Sequence, residues 1–256
     1  MSIQAAMLPD GKRLHLQHGP IDLIVQADGP ADQVATAYRA ARTRFATVLD
    51  RLAQELTTLR TQVPEAGLAV AGPIAQRMVA VVRPFWKLKV TPMAAVAGSV
   101  ADEMLAAMCA AAELPRAYVN NGGDIALHLA DGETFSIASA NGPVAVSSTD
   151  PVRGIATSGW RGRSFSFGIA DSVTVLAGSA AQADIAATLI ANEVDLPRSI
   201  KVRRAPAAAL YPDSDLGQRR VTVEVAELTD AEVDRALSRG LEFAGRLRSS
   251  NSVSYT

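Results

Sequence analysis

The chain has little of the chemistry that disulfides, metal clusters or strongly charged partners require. Its 256 residues include one cysteine and three histidines. A single cysteine excludes an intramolecular disulfide framework and any multi-cysteine zinc or iron–sulfur site. The 25 basic and 26 acidic side chains leave a net charge of −1, which argues against non-specific binding to nucleic acid or to an anionic membrane.

Targeting signals are also missing from the sequence. No apolar segment follows a basic one near the start, so no signal peptide is predicted. The most hydrophobic stretch, residues 92–114, is interrupted by Asp102 and Glu103. A membrane-spanning helix needs about 20 predominantly apolar residues and tolerates a central acidic pair poorly. We therefore expect a soluble, cytoplasmic protein that binds neither nucleic acid nor membrane.

Apolar periodicity and turn residues predict strands and helices that are interspersed along the chain. The sequence shows no strict βαβ alternation, no repeat and no long polar linker. It therefore predicts one mixed α/β (α+β) domain over residues 1–256, with mixed sheets flanked by helices. The predicted helices span about 30–56, 92–114, 180–192 and 229–247, the last one opened by a capping box of Thr229 and Glu232. The predicted strands span about 14–16, 22–26, 78–82, 116–120, 124–129, 134–138, 144–147, 164–168, 172–177 and 221–226, and Lys87 and Lys89 alternate as on an exposed strand.

Three glycine-containing stretches are candidates for ligand contact. They are Ala97-Gly98-Ser99, residues 120–124 (NNGGD) and residues 156–159 (ATSG). Glycine lets the backbone adopt positive φ and brings N–H groups close to a phosphate, while Asn, Ser and Thr add donors. The same residues also form plain turns, and each stretch alone leaves both interpretations open.

A fourth stretch places a carboxylate and a hydroxyl on one face of a predicted helix. Asp184 and Thr188 are four residues apart among alanines. A buried carboxylate without a partner is costly, so it needs a cation or hydrogen-bond donors. Aspartate, threonine and backbone carbonyls form an oxygen set that suits Mg²⁺. The alternative is that Asp184 lies near a helix start and interacts with its dipole, and the spacing leaves both possibilities open.

At these four stretches the chain resembles the ApbE-type FAD:protein FMN transferases. It resembles even more closely the poorly characterised ApbE-like family that shares their core. The resemblance covers roughly residues 94–194, and its pieces occur in the family's order: AAVAGSVADEM, YVNNGGDI, GIATSG and SVTVLAGSAAQADIAATLI.

The resemblance implies an α/β fold that binds FAD in a cleft beside Mg²⁺ and attaches FMN to a threonine of a protein acceptor. By position, Asp184 and Thr188 match the metal ligands of that family. Ala97 and Gly98 match a backbone segment close to that metal. The residues that the resemblance predicts to bind the cofactor are these two with Ser99, the glycine-rich turn of Asn121, Gly122, Gly123 and Asp124, and the cleft residues Thr157, Ser158 and Gly159.

The chain departs from the transferases in two places. Gly98 or Ser99 occupies the region of their first-motif lysine, and residues 165–171 replace a histidine and an Asp-Pro-x-Thr-Gly loop. Asp171 is the acidic group in that segment and is our candidate catalytic residue. Three functions follow as expectations: a flavin-binding, Mg²⁺-dependent protein with FMN-transferring or FAD-cleaving activity, a non-catalytic homo-oligomeric scaffold, or an enzyme accessory to sulfur or amino-acid metabolism.

Overall fold

The computed structural model describes residues 2–139 and 142–249, and its fold is mixed α+β, as predicted. The strands are β1 (Gln4–Met7), β2 (Leu14–His18), β3 (Ile21–Asp28), β4 (Arg116–Asn121), β5 (Asp124–Leu129), β6 (Thr134–Ser139), β7 (Gly142–Ser147), β8 (Gly154–Ser158), β9 (Val173–Ala177), β10 (Val202–Pro206) and β11 (Arg220–Val225). The helices are α1 (Ala31–Phe45), α2 (Val48–Gln54), α3 (Leu56–Leu59), α4 (Pro73–Val82), α5 (Val96–Ala111), α6 (Ala180–Glu193), α7 (Ala207–Leu210) and α8 (Asp230–Ser249). Two 3₁₀ helices, Arg83–Leu88 and Pro92–Ala95, precede α5.

Seven strands form the main sheet, in the order β1-β2-β3-β4-β5-β8-β9, and each neighbouring pair is antiparallel. Side chains along β2 and β3 alternate between buried and half-buried positions. Successive strand residues point to opposite faces, so this alternation creates one apolar face. The β6–β7 and β10–β11 pairs are separate two-stranded sheets.

Helices α1, α5 and α6 pack on this sheet and form the core with it. Helix α5 contacts β4 and β5, and α6 contacts β8 and β9. Leu23 of β3, Phe45 of α1 and Met104 of α5 are fully buried in one cluster. Helix α8 packs on α6 from outside, so α6 lies between the sheet and a further helix.

The segment Pro92–Ala111 is 20 residues long with a mean hydropathy of 1.4, and it satisfies the length and composition of a membrane-crossing helix. A core helix satisfies the same test. Val100, Met104 and Met108 of this segment are fully buried and belong to the core cluster. The fold is therefore consistent with a soluble protein.

Helices α5 and α6 begin at the same place and cap each other. The Asp102 carboxylate of α5 accepts hydrogen bonds from Ala180 N and Ala181 N, each at 3.0 Å. The Asp184 carboxylate of α6 accepts one from Gly98 N at 3.0 Å. The first N–H groups of a helix have no partner within it, so each carboxylate satisfies donors of the other helix.

Glycine at position 98 permits this close approach. A Cβ at Gly98 would lie 2.3 Å from the Ala180 carbonyl oxygen, a distance that real Cβ atoms essentially never show. The two helix starts, with Asp184 between them, are therefore held in place by packing as well as by hydrogen bonds.

Several local predictions are wrong. Residues 78–82 belong to helix α4 and not to a strand, because Pro73 begins a helix at its first turn and five apolar residues fit either structure. Lys87 lies in a 3₁₀ helix. Residues 164–168 form a loop, and the helix predicted over 30–56 is divided into α1, α2 and α3.

Candidate functional site

Most of the predicted site residues meet at one cavity of about 450 Å³. This volume lies within the range of ligand-binding pockets in proteins. The predicted site residues that line it are Ala97, Asn121, Gly122, Asp124, Thr157, Ser158, Gly159, Asp184 and Thr188. The four sequence stretches are thus brought together although about 90 residues separate the first from the last.

The NNGGD stretch is the tight turn between β4 and β5. Asn121 and Asp124 pair across it, and Gly122 and Gly123 have φ of +65° and +116°. Two consecutive positive φ values are typical of a two-residue hairpin turn, and glycine adopts them without steric cost. The turn places Asp124 at the cavity, and Asn121 Nδ2 donates a hydrogen bond to Ala97 O at 3.1 Å, which links the turn to the start of α5.

Asp124 and Asp184 form a carboxyl pair in this cavity. Both are half-buried, and among the described residues neither makes an ion pair with a basic side chain. The Asp124 carboxylate accepts the Thr157 backbone N–H, and Asp184 accepts that of Gly98. Burial raises the pKa of Asp124 to about 7. Burial and then the neighbouring Asp124 charge raise the pKa of Asp184 well above its ordinary value. The pair therefore retains a proton close to neutral pH.

The ATSG stretch, at the end of β8, contributes Thr157, Ser158 and Gly159 to the cavity lining. The Thr157 hydroxyl bonds that of Thr174 at 2.8 Å, so Thr157 acts on Asp124 through its N–H. A Cβ at Gly159 would lie 2.2 Å from the carbonyl oxygen of Asp171. Glycine at this position therefore lets residues 170–171 pack directly behind the cavity wall.

Four predicted site residues lie outside the cavity lining. Gly98 and Gly123 support the lining through backbone hydrogen bonds to Asp184 and Asn120. Ser99 is fully buried, and within the described residues its hydroxyl has no hydrogen-bond partner. The Asp171 side chain is 73% exposed and forms an ion pair with Arg161 at 2.8 Å. The structure therefore places the backbone of Asp171 against Gly159 but leaves its side chain outside the cavity.

The apolar part of the cavity lining is not predicted from the sequence. The hydrophobic residues that line the cavity are Pro20, Ile21, Leu49, Leu52, Ala53, Leu56, Leu59, Met93, Val96, Val100 and Ala187. Those from α2 and α3 have the spacing of a buried helical face, which is the same for a core and for a cavity wall. Arg60 and Arg163 also line the cavity and were not predicted. Only the fold shows which apolar positions face a ligand-sized space.

The predicted metal site has few candidate ligands around it. Within residues 2–139 and 142–249, no group of three or more His, Cys, Asp or Glu side chains is arranged to hold a metal ion. Asp184, Asp124 and Thr188 all line the cavity. Binding of Mg²⁺ and of FAD stays a prediction.

The chain is similar to a known family over almost its whole length. A family profile described as AbpE bacteria matches residues 5–255. A UPF0280 protein of Methanopyrus kandleri is 31% identical over 176 residues, which cover 67% of this chain and 69% of the relative. A UPF0280 protein of Methanosarcina acetivorans is 30% identical over 188 residues, covering 71% and 72%. One of Methanothermobacter thermautotrophicus is 37% identical over 137 residues, covering 50% and 52%.

These similarities correct the resemblance drawn from the motifs. The matching family is a different one from the ApbE-type FAD:protein FMN transferases, so the predicted kinship is wrong. The predicted transferase or FAD-cleaving function is wrong with it. The family match gives no support to describing this chain as a flavin-dependent or magnesium-dependent transferase. The scaffold and metabolic-accessory alternatives are not favoured either. The physical reason is that these motifs serve the fold: NNGGD makes a hairpin turn, and Asp102 and Asp184 cap helices.

Proposed function

This chain belongs to the AbpE bacteria family, and from that premise we propose that it is an enzyme that moves a proton on a small organic molecule bound in the cavity. Asp124 is the proton donor and acceptor, and Asp184 is the carboxyl group that shares its proton. One observation carries the proposal: the fold brings these two carboxyl groups into one ligand-sized cavity with no basic side chain bonded to either among the described residues.

The chemistry follows from the environment of the pair. A general acid or base works best when its pKa lies near the working pH, and the pKa of Asp124 is raised to about 7 by burial. Two nearby carboxyl groups cannot both ionise easily, so one donates a proton while the other accepts one. The apolar side chains from α2 and α3 favour a substrate with an apolar part.

The hydrogen bonds around the pair distinguish its two members. Asp184 accepts the Gly98 N–H at the first turn of α5, where the helix dipole favours a negative charge. Asp124 accepts one N–H from Thr157 in a strand, which has no comparable dipole. Asp124 is therefore the member that gains and loses the proton during a reaction, and Asp184 positions it.

Labelling with an N-benzyl diazoacetamide tests the proposal. A protonated carboxyl group gives its proton to the diazo carbon, the carboxylate then attacks that carbon, and N₂ leaves to give an ester. Ordinary aspartates with a pKa near 3.9 are ionised at pH 7 and do not react at that pH. We expect mass spectrometry to find the ester on Asp124 or Asp184 at pH 7 and not on the exposed Asp171 or Asp213.

Matched variants make the result specific. The Asp124→Asn variant should lose the ester at position 124 and give less ester on Asp184, since burial still raises the pKa of Asp184 and only the added effect of the Asp124 charge is removed. The Asp171→Asn variant should label as the unchanged protein does. A label spread over exposed carboxylates, or none in the cavity, would show that the pair holds no proton at pH 7 and would refute the function.

Added salts distinguish a proton from a metal ion at the pair. A divalent cation also neutralises two carboxylates, so the labelling is repeated with MgCl₂ and with EDTA. We expect the same yield in both, and suppression by MgCl₂ would favour a bound cation.

A cytoplasmic location is part of the proposal, since a single cysteine suits a reducing compartment.

A further inference from the structure

Two arginines at the cavity have no acidic partner among the described residues. Arg60, directly after α3, and Arg163, in the loop after β8, both line the cavity and are exposed. Within the described part of the chain, neither guanidinium group makes an ion pair or a hydrogen bond. Arg161, two residues before Arg163 and outside the lining, pairs with Asp171 at 2.8 Å. The difference indicates that the cavity-facing arginines are available to a ligand.

The position of Arg163 is set by the β4–β5 turn. Its Nη1 atom lies 2.9 Å, and its Cδ atom 3.9 Å, from the place that a Cβ of Gly122 would occupy. The guanidinium group therefore lies over the glycine turn that carries Asp124 two residues later. An anionic group bound to Arg163 would lie at the same end of the cavity as the carboxyl pair.

The cavity lining also includes apolar side chains, so the cavity offers both charged and apolar groups to a ligand. Leu49, Leu52 and Leu56 project into it from α2 and α3. Two arginines and two aspartates line the cavity, and when the aspartates share one proton the lining carries one net positive charge. A ligand with one negative charge and an apolar body matches both properties.

We propose that the cavity binds an amphipathic organic carboxylate, with its carboxylate on Arg163 and its apolar body against Leu49, Leu52 and Leu56. This inference rests on the proposed function and names its substrate class. Arginine suits the role because its planar guanidinium group donates two parallel hydrogen bonds to a carboxylate. Arg60, which directly follows Leu59 of the apolar lining, adds a second positive charge to the cavity.

A matched pair of probes tests the inference. 1-Naphthaleneacetic acid and 1-naphthaleneacetamide share one apolar body and differ in the negative charge. By isothermal titration calorimetry, we expect the full-length protein to bind the acid at least tenfold more tightly than the amide. Arg163→Gln should lower the affinity for the acid at least tenfold and keep the affinity for the amide within twofold of its original value. Arg161→Gln, the neighbouring control, should change neither, and 1-naphthyl phosphate should bind more weakly than the acid.

The outcomes separate the substrate class from the function. The carboxylate site is overturned if the protein binds the acid and the amide with equal affinity, or if Arg163→Gln leaves the affinity for the acid unchanged. Diazo labelling of the carboxyl pair can still succeed in either case. Tighter binding of the phosphate than of the acid also overturns it. If the acid binds through Arg163 but neither Asp124 nor Asp184 is labelled, the carboxylate site stands and the proton-transfer function fails. If the protein binds neither probe, the cavity does not accept an apolar body and the inference is wrong.

Discussion

Three aspartates with similar sequence surroundings have different tasks in this protein. Asp102 and Asp184 cap the starts of α6 and α5, and each accepts backbone N–H groups of the other helix. Asp124 begins a strand and accepts one N–H from Thr157. Burial raises the pKa of all three carboxyl groups. What separates them is which donors the fold brings to each.

Replacing Asp124 by asparagine should change how stability depends on pH. The pKa of Asp124 is about 7 in the folded protein and near 3.8 in the unfolded chain. Between these values the folded state binds more protons, so the free energy of unfolding falls as pH rises from about 4 to 7. Asparagine cannot ionise and should remove that part of the decline. The fall in the midpoint of thermal unfolding between pH 5 and pH 8, compared between the variant and the unchanged protein, measures this effect.

The decline should become smaller and not vanish, because the pKa values of Asp102 and Asp195 are also raised by burial. Asp171→Asn serves as the control, since that side chain is 73% exposed. An unchanged difference between the two midpoints in Asp124→Asn would show that Asp124 titrates at its ordinary pKa.

At the scale of elements, the contact between α5 and α6 organises the site. The Asp184 side chain reaches the first turn of α5 only because the two helix starts nearly touch at Gly98 and Ala180. Asn121 of the β4–β5 turn bonds the Ala97 carbonyl at the same place. One sheet turn and two helix starts thus meet around the carboxyl pair.

A methyl group at position 98 should separate these helices. The Cβ of Gly98→Ala would lie 2.3 Å from the Ala180 carbonyl oxygen and 2.8 Å from Ala181 N. Overpacking of this kind costs about 1–3 kcal/mol, so we expect the free energy of unfolding to fall by at least that much. Urea denaturation measures it, and weaker labelling of Asp124 should accompany it.

Gly245→Ala in α8 is the matched helical control. Apart from the neighbouring backbone of α8, no atom of the described residues lies within 4 Å of a Cβ at that position, and alanine is favoured over glycine in a helix by about 1 kcal/mol. We therefore expect equal or greater stability in this variant. Equal loss of stability in both variants would mean that the contact with Ala180 is not the cause of the loss in Gly98→Ala.

Helix α8 shows which features of a helix the sequence pattern predicts and which it does not. Its capping box forms as predicted, with Thr229 N donating to Glu232 Oε2 at 2.8 Å and Glu232 N donating to Thr229 Oγ1 at 3.4 Å. Its apolar residues are divided differently from a simple amphipathic face. Phe243 and Leu247 are buried, while Leu237 and Leu241 are 48% and 70% exposed, because α6 covers one side of the helix only.

At the scale of the whole molecule, the cavity joins segments that are far apart in sequence. Its lining comes from the β2–β3 turn, from α2 and α3, from the start of α5, from the β4–β5 turn, from the loop after β8 and from α6. A ligand that fills it would contact all of these segments. Binding should therefore reduce local opening in each of them together.

Hydrogen–deuterium exchange with 1-naphthaleneacetic acid measures this directly. We expect slower exchange in residues 48–60, residues 120–124 and residues 157–164 when the acid is bound. The β10–β11 pair contributes no residue to the lining and should exchange at the same rate with and without the acid. Protection confined to α8 or to β10–β11 would place the ligand elsewhere on the molecule.

The sequence by itself determined the features that depend on neighbouring residues. Alternation in β3, the glycine turn before Asp124, the capping box at Thr229 and the small-residue helix α6 are local, because backbone dihedrals and helix ends are decided within a few residues. The same locality made residues 78–82 ambiguous between strand and helix. It also let motifs that serve as a turn and as helix caps resemble those of another family.

Only the tertiary structure decided what these features do together. It placed the Asp184 carboxylate on Gly98 N, 86 residues away in sequence, and beside Asp124. It also turned Leu52 toward a cavity, brought Arg163 over Gly122 and left Asp171 outside. Burial, charge coupling and cavity shape depend on which distant segments pack against each other. Because no pattern along one segment contains that information, the carboxyl pair and its ligand space exist only in the folded chain.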